Sequence, residues 1–370
     1  MWNILRDMSR LNFIAMNLAP LVLGLSLWCP ITRFIAMFIH SRFESRMRYP
    51  LVPVGVHRYN IRSMRALSKP KTVGNIKLTD RDKLWIRAVH RFRFITTDQA
   101  QLLSGTDSRT KLNQRLAQLF AHDFLDRPAV QQQAFGYAKK RHVVHALGPK
   151  GAKWLTEHDG VRFPKGKGWR TANRLKSAER LTHQIGLVDT VLNFEQAIST
   201  RDDLSLAHQD ELLAGSKWPE DLKSYRLPTK IEQQGRLVDR ATDPDYTFTI
   251  ARKQSEKWQS ALFFLEWDNS TEDFVKANRL ASSIAQKHRC YADAYSRRLH
   301  TKLYGFKMFR VLFVVNDDQR RIAKMQRVCE RVIDKEPKSL FWYTTANELA
   351  EQGPFGDIWI TGEGRRQALV

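Results

Sequence analysis

The chain has 370 residues and carries 61 Lys and Arg against 38 Asp and Glu, which gives a formal net charge of +23 at pH 7. That excess favours a polyanionic partner, either nucleic acid or an anionic membrane surface, and a hydrophobic content of 42% excludes a largely disordered chain. The three cysteines, Cys29, Cys290 and Cys329, include no C-x-x-C pair, which excludes a disulfide framework and a cysteine zinc site and indicates a reducing cytoplasm.

Residues 1–76 form a leader that differs from the rest of the chain. Residues 11–32 contain no charged side chain, and 22 residues are enough to span a bilayer. Two prolines interrupt this segment, and no small-residue cleavage site follows it. Two interpretations stay open: a membrane tether on an otherwise cytoplasmic protein, or a reading frame that truly starts at Met47 or Met64. The second is favoured because a clear helix start comes only at Leu78.

From residue 78 the pattern is helical. Thr79 is a predicted N-cap, acidic residues follow in the first turn, and apolar residues recur at helical spacing through LWIRAVHRF. A second short helix opens at Thr97, and a third follows a cap at Asp107 or Ser108. Two β-prone stretches, FLDRPAV and KKRHVVHALG, come next, and a further helix is predicted in PKGAKWLTEH.

Three helices followed by a hairpin predict a winged-helix DNA-binding domain over residues 77–162, with its third helix in a major groove. A charged face on an amphipathic helix is often merely solvated, but two basic patches in a chain of charge +23 favour DNA. The residues predicted to face DNA on the third helix are Arg109, Lys111 and Arg115, and those predicted to contact phosphates on the hairpin are Lys139, Lys140 and Arg141.

The second half of the chain alternates strands and helices. Residues 163–174, FPKGKGWRTANR, lack periodicity and predict a linker. A long helix follows, and then the strands TFTI, ALFFLEW, FRVLFVV, SLFWYTT and DIWIT with helices between them. This order predicts an α/β domain over residues 175–370, with a mixed sheet covered by helices on both faces. No G-x-G-x-x-G or Walker A sequence supports nucleotide binding.

Two carboxylates end the apolar strand in FFLEWDNST. Side chains alternate along a strand, so Glu266 and Asp268 share a face. If ARKQSEKWQS joins this strand to TFTI as a hairpin, Ile250 lies opposite Ala261, and the same register pairs Asp245 with Glu266. Three carboxylates at one rim would repel unless a cation such as Mg²⁺ or Mn²⁺ neutralised them. The alternative is a strand end that simply reaches solvent.

A Pro-Asp pair at Asp245, followed some twenty residues later by Glu266 after a buried strand, resembles the PD-(D/E)xK nuclease core. The wider arrangement resembles the replication-relaxation family of plasmid-associated proteins over roughly residues 78–362. The segments that carry this resemblance are LTDRDKLWIRAVHRFRFITTDQAQLL, LTHQIGLVDTVL, DPDYTFTI, FFLEWDNSTE with its downstream KHRCY, and FRVLFVVNDDQRR. It implies a winged-helix domain joined to a restriction-endonuclease-like domain. Some relatives, the MobC-type relaxases, nick plasmid DNA at a transfer origin, and others serve plasmid replication or its control.

The resemblance implies that Asp245 and Glu266 bind the metal and that double-stranded DNA, at a plasmid origin, is the partner, with other replication or mobilisation proteins beside it. The nuclease pattern expects a lysine two residues after the glutamate, where this chain has Asp268. Either Asp268 is a third ligand, or a lysine arrives from the following helix, where Lys287 of KHRCY is favoured and Tyr291, one turn beyond, could contact a phosphate. A Mg²⁺-dependent nickase and an inactive DNA-binding regulator of replication or transcription both stay open.

Overall fold

The computed structural model describes residues 69, 74–131, 143–163, 177–214, 225–233, 235–254, 257–270, 272–274, 283–334 and 337–369. These residues all belong to one compact unit, Ile61–Val370. The uncharged segment 11–32, the basic hairpin residues Lys139, Lys140 and Arg141, and residues 164–174 of the predicted linker lie outside the described residues. Among the described helices, none has the length and apolar character needed to cross a membrane.

The first part of the fold consists of helices around a small sheet. Its elements are α1 (Asp80–Phe92), β1 (Phe94–Thr96), α2 (Thr97–Ser104), α3 (Arg109–Ala121), β2 (Leu125–Asp126), β3 (Val144–Leu147) and α4 (Pro149–Asp159). The strands form an antiparallel sheet in the order β1-β3-β2. Thr79 caps α1 with a reciprocal bond to Asp82, and Ser108 caps α3, as predicted. The helix predicted to open at Thr97 is capped by Thr96.

The second part is built on a large mixed sheet. Its elements are α5 (Ala178–Ser199), β4 (Leu204–His208), α6 (Gln209–Ala214), β5 (Leu227–Gln233), β6 (Arg236–Thr242), β7 (Tyr246–Gln254), β8 (Lys257–Asp268), α7 (Ile284–Ser296), α8 (Leu299–Tyr304), β9 (Phe309–Val315), α9 (Gln319–Val332), β10 (Phe341–Thr345), α10 (Ala346–Gln352), β11 (Trp359–Thr361) and β12 (Arg366–Gln367). The sheet order is β12-β11-β10-β9-β8-β7-β4, and only the β8/β9 and β9/β10 pairs are parallel. The predicted mixed α/β architecture is confirmed.

The hairpin of β7 and β8 has the predicted register. Ile250 lies opposite Ala261, and the ladder runs from Gln254 opposite Lys257 at the turn end to Tyr246 opposite Leu265. Both strands are longer than the sequence indicated. The position before Tyr246 is Asp245, so the register brings Asp245 beside the Glu266 end of β8.

Side chains of β8 enter two separate cores because they alternate between the faces of the sheet. On one face, Leu265 and Trp267 pack with α5 in an apolar cluster that also includes residues of α1 to α4. On the other face, Phe264 packs with α7, including the ring of Tyr291. Helices therefore cover both faces, and the acidic end of β8 is positioned between the two helical layers.

Candidate functional site

Glu266 is a buried carboxylate that receives two hydrogen bonds from one helix. It is only 1% exposed. Lys287 donates its Nζ to Oε2 at 2.8 Å, and the Tyr291 hydroxyl donates to Oε1 at 2.5 Å. Lys287 and Tyr291 lie one turn apart on α7, which places both on the same side of the helix. The residue favoured in the sequence as the incoming lysine thus contacts the predicted glutamate.

Asp245 adds a second carboxylate at the entrance of β7. Its Oδ2 accepts a hydrogen bond from the Trp267 backbone nitrogen at 2.9 Å, across the hairpin, and lies 3.2 Å from His183 Nε2 on α5. The side chains of Asp245 and His183 are 23% and 30% exposed, so this part of the site is accessible to solvent. We call Asp245, Glu266 and Lys287 the carboxylate–lysine cluster.

The two carboxylates of the cluster differ in acidity. Burial raises the pKa of Glu266 to about 7, and the charge of Asp245 adds to this increase, whereas Lys287 opposes it. Burial also acts to raise the pKa of Asp245, but the hydrogen bond with His183 and the charge of Lys287 outweigh it and leave this pKa lowered. Neighbouring carboxyls with opposite shifts suit either acid and base chemistry or a shared cation.

The acids around Lys287 and His183 stabilise the charged form of each side chain. Burial alone would lower the pKa of Lys287, but the carboxylates of Glu266, Asp245 and Glu272 raise it. Burial likewise opposes protonation of His183, whereas its hydrogen bond with Asp245 makes the net pKa shift upward. Lys287 is therefore an ammonium at neutral pH.

Asp268 shares the strand face of Glu266, as predicted, and its carboxylate is held by Arg321 of α9. Arg321 donates Nε to Oδ2 at 2.5 Å and Nη2 to Oδ1 at 3.1 Å, and the Ser270 nitrogen donates to Oδ1 at 2.7 Å. Asp268 and Arg321 are both buried. These two bonds from Arg321 neutralise the charge of Asp268, which the sequence predicts as a third metal ligand. That role of Asp268 stays a prediction.

Arg321 also connects this ion pair to the cluster. Its Nη2 donates to the backbone oxygen of Glu272 at 2.5 Å, and the Glu272 carboxylate lies 3.0 Å from Lys287 Nζ. The guanidinium also lies over the Phe274 ring, 4.6 Å from its centroid. Arg321 therefore anchors the segment that follows β8, and that segment supplies a second carboxylate to Lys287.

The donor set is compatible with a small divalent cation held by two carboxylates. Within the described ranges, no group of three or more His, Cys, Asp or Glu side chains is arranged to hold a metal. Asp245 and Glu266 nevertheless provide hard oxygen ligands, and burial together with the charge of Asp245 raises the pKa of Glu266 although Lys287 opposes the increase. Mg²⁺ accepts one or two protein carboxylates and keeps several waters.

The basic residues predicted on α3 have different surroundings. Arg115 forms an ion pair with Asp82, whose side chain is fully buried, with Nη2 2.6 Å from Oδ2. Arg109 pairs with Asp98. Lys111 is exposed. Contacts of these three residues with DNA stay predictions, and the structure shows that Arg115 and Arg109 also serve contacts within the protein.

His183, Glu272 and Arg321 were not identified from the sequence as site residues. His183 lies in LTHQIGLVDTVL, which reads as an ordinary amphipathic helix. Glu272 and Arg321 could have been found from the sequence, because acids follow β8 in NSTED and arginines follow β9 in DDQRR. Adjacent parallel strands bring the segments after their carboxyl ends close together.

These features define a basic α/β protein with a carboxylate–lysine cluster at the end of a mixed sheet. A family model described as replication-relaxation matches residues 86–308, more than half of the chain, and the chain belongs to this family. The matched range includes the whole carboxylate–lysine cluster and ends before Arg321. Nothing matches among curated proteins or among solved structures. Family membership indicates a role in replication or relaxation, with DNA or replication-related partners.

Proposed function

We propose that the protein binds plasmid DNA and nicks one strand at the carboxylate–lysine cluster, in plasmid replication or mobilisation. The observation that carries this proposal is the contact of Lys287 with Glu266 at 2.8 Å, beside Asp245. The nuclease pattern that the sequence resembles takes its lysine from two residues after the glutamate. In this chain Asp268 occupies that position, and we assign the role of the lysine to Lys287 of α7, which contacts the same carboxylate.

The protonation states support hydrolysis of a phosphodiester at neutral pH. Lys287 remains protonated because its pKa is raised, so it can stabilise negative charge on phosphoryl oxygens but cannot accept a proton. Burial raises the pKa of Glu266 to about 7, and a cation bound to this carboxylate would favour its ionised form, which is the form that binds a metal. Tyr291 is fully buried and donates to Glu266, so we assign it to orienting that carboxylate rather than to a phosphate.

A divalent cation, Mg²⁺ or Mn²⁺, completes the proposal, with Asp245 and Glu266 as its ligands. When bound, it would polarise the scissile phosphate and offset the charge of the two carboxylates. His183 holds Asp245 by a hydrogen bond and so fixes the orientation of one ligand.

The N-terminal part supports the DNA-binding half of the proposal. The order α1-β1-α2-α3-β2-β3 is compatible with the winged helix that we propose, and Lys111 is exposed on the third helix. Asp82 holds the Arg115 side chain in the middle of α3, so Lys111 is the better candidate for a phosphate contact. Recognition of a plasmid origin and a cytoplasmic location rest on the family resemblance and on composition.

Conversion of supercoiled plasmid DNA to open circles tests this function. We expect the wild-type protein to nick plasmid DNA in Mg²⁺ or Mn²⁺ and to stop when EDTA is present. Absence of nicking with either metal, on plasmid DNA that carries the cognate origin, would exclude the nickase.

A second candidate function is that of an inactive DNA-binding regulator. It is favoured by the fact that both oxygens of Glu266 are hydrogen-bonded, to Lys287 and Tyr291, so the site is already partly neutralised by protein groups. This candidate predicts origin binding without cleavage. Slow nicking that disappears in Asp245→Asn would exclude it.

A further inference from the structure

The hairpin of β7 and β8 extends beyond β9 at the end remote from the carboxylate–lysine cluster, while β4 pairs with β7 as far as Arg252 and the Lys253 nitrogen donates to the Asp203 backbone oxygen. β9 pairs with β8 only from Leu262 onward, whereas β7 stays paired with β8 back to Lys257. We call residues 251–254 and 257–260 the distal ribbon. Its side chains from Arg252 to Gln254 and from Lys257 to Ser260 are exposed. Trp258 lies eight positions before Glu266 on β8, so the two residues are about 26 Å apart at the usual strand rise.

The distal ribbon combines cations with an exposed aromatic ring. Trp258 is 50% exposed and lies directly opposite Lys253. Arg252 and Lys257 belong to the alternate set of side chains, on the other face of the ribbon. The sequence of residues 251–260 includes these three basic residues and a single acid, at position 256.

The same end of the sheet carries further positive charge. Lys307 lies two residues before Phe309, the residue at which β9 first pairs with β8. With Arg298 it lines an open cleft of about 400 Å³. Edge lysines alone could serve to prevent strands of other molecules from pairing there, but a half-exposed tryptophan does not serve that purpose.

We propose that the distal ribbon binds single-stranded DNA. An exposed indole can stack on an unpaired base, and neighbouring cations can contact the flanking phosphates. Bases within a duplex are already stacked on both faces, so the ring selects an unpaired strand. The distal ribbon shares no residue with α3 or with the carboxylate–lysine cluster, so the proposal does not depend on nicking activity.

Binding of a fluorescent oligothymidylate of about 20 nucleotides, compared with a duplex of equal length, tests the proposal. We expect Trp258→Ala to weaken oligothymidylate binding about tenfold and to leave duplex binding unchanged. Trp258→Phe should keep most of the affinity because it retains an aromatic face. Lys253→Gln, which removes the cation on the same face as Trp258, should also weaken binding and reduce its salt dependence. Leu237→Ala is the control, since Leu237 is 71% exposed on β6.

The proposal is overturned if Trp258→Ala leaves oligothymidylate binding unchanged, or if it weakens duplex binding to the same extent. It is also overturned if the substitution reduces binding only to vesicles of phosphatidylserine and phosphatidylcholine, which would indicate a membrane surface. Oligothymidylate binding is measured in EDTA, conditions in which the proposed nickase does not act. A failed nicking assay therefore does not contradict the binding of single-stranded DNA, and a failed oligothymidylate assay does not contradict nicking.

Discussion

Asp268 and Arg321 form a buried ion pair next to the carboxylate–lysine cluster, and the pair bears on how the cluster works. A carboxylate that receives two guanidinium bonds and a backbone bond is neutralised without a metal. Removal of one partner leaves a buried charge unpaired, whereas removal of both does not. Variants of this ion pair can therefore distinguish a structural role of Asp268 from a role as a metal ligand.

We expect Arg321→Met to lower the free energy of unfolding by about 3–5 kcal/mol, because it leaves Asp268 charged and buried. The double variant Asp268→Asn/Arg321→Met should recover most of that loss. Urea denaturation of the two variants and the wild type gives the comparison. If the folded double variant nicks DNA at the wild-type rate, Asp268 is not a required ligand. Loss of nicking in the folded double variant, with nicking retained in folded Arg321→Met, would instead support the ligand role.

Asp82 is a second buried carboxylate, and its contribution to the stability of the fold should depend on pH. Burial acts to raise its pKa, but hydrogen bonds from Arg115 and Thr79 outweigh burial and leave the pKa lowered. A lowered folded-state pKa means that ionised Asp82 stabilises the fold above its unfolded pKa of about 3.9, and that this stability is lost as pH falls through the folded-state value.

We therefore expect the stability difference between the wild type and Asp82→Asn to narrow as pH falls from about 5 to about 2. Urea denaturation at a series of pH values measures this difference. Asp202→Asn is the matched control, because Asp202 is exposed. A difference between the wild type and Asp82→Asn that stays constant over the range would contradict the assignment.

At the scale of elements, the approach of α5 to β8 positions His183. Gly186 lies one turn beyond His183, and a Cβ atom at this glycine would lie 2.2 Å from Cζ2 of Trp267. A glycine at this position therefore lets the helix pack directly on the indole ring. This contact determines how closely α5 packs on the sheet, and thereby the distance from His183 to Asp245.

Gly186→Ala should lower the free energy of unfolding by about 1–2 kcal/mol, since overpacking outweighs the better helix propensity of alanine. It should also weaken the contact of His183 with Asp245 and so reduce nicking. Thermal and urea unfolding measure the first effect. Gln196→Ala, at an exposed position of the same helix, should change stability by less than about 0.5 kcal/mol. Equal stabilities of Gly186→Ala and the wild type would contradict this packing argument.

The sequence predicted local elements better than distant contacts. The register of β7 and β8 was predictable because the two strands are adjacent in sequence and alternate clearly. β4 was missed because it is short and pairs with β7 across about forty residues. The hairpin of β5 and β6 was also missed, since its stability depends on packing against α7 and its exposed strand shows no clean alternation.

The residues of the site show the same limit. Asp245 and Glu266 were found because one hairpin places them together. His183 and Arg321 were not found, because they reach Asp245 and Asp268 across 62 and 53 residues of chain. The contact of His183 depends on how α5 packs on the sheet, and neither periodicity nor residue spacing encodes that packing, whereas the parallel pairing of β8 with β9 brings Arg321 to Asp268.

At the scale of the whole molecule, the charge of +23 is the dominant feature. A protein that binds DNA through Lys and Arg releases counterions, so its affinity falls as salt rises. We expect Lys111→Gln to reduce the slope of log affinity against log salt by about 1 for duplex DNA. Lys153→Gln, at an exposed lysine of α4, is the charge-matched control and should leave the slope unchanged. Equal effects of the two substitutions would contradict a specific role for α3.

The carboxylate–lysine cluster is the site at which we propose that the protein nicks DNA. The most direct test compares nicking of supercoiled plasmid DNA in Mg²⁺ by Glu266→Gln and by Glu232→Gln, a matched change at an exposed glutamate of β5. Thermal unfolding first establishes that both variants are folded. We expect Glu266→Gln to lose at least about a hundredfold in nicking rate and Glu232→Gln to match the wild type. Nicking by folded Glu266→Gln at the wild-type rate would contradict the claim.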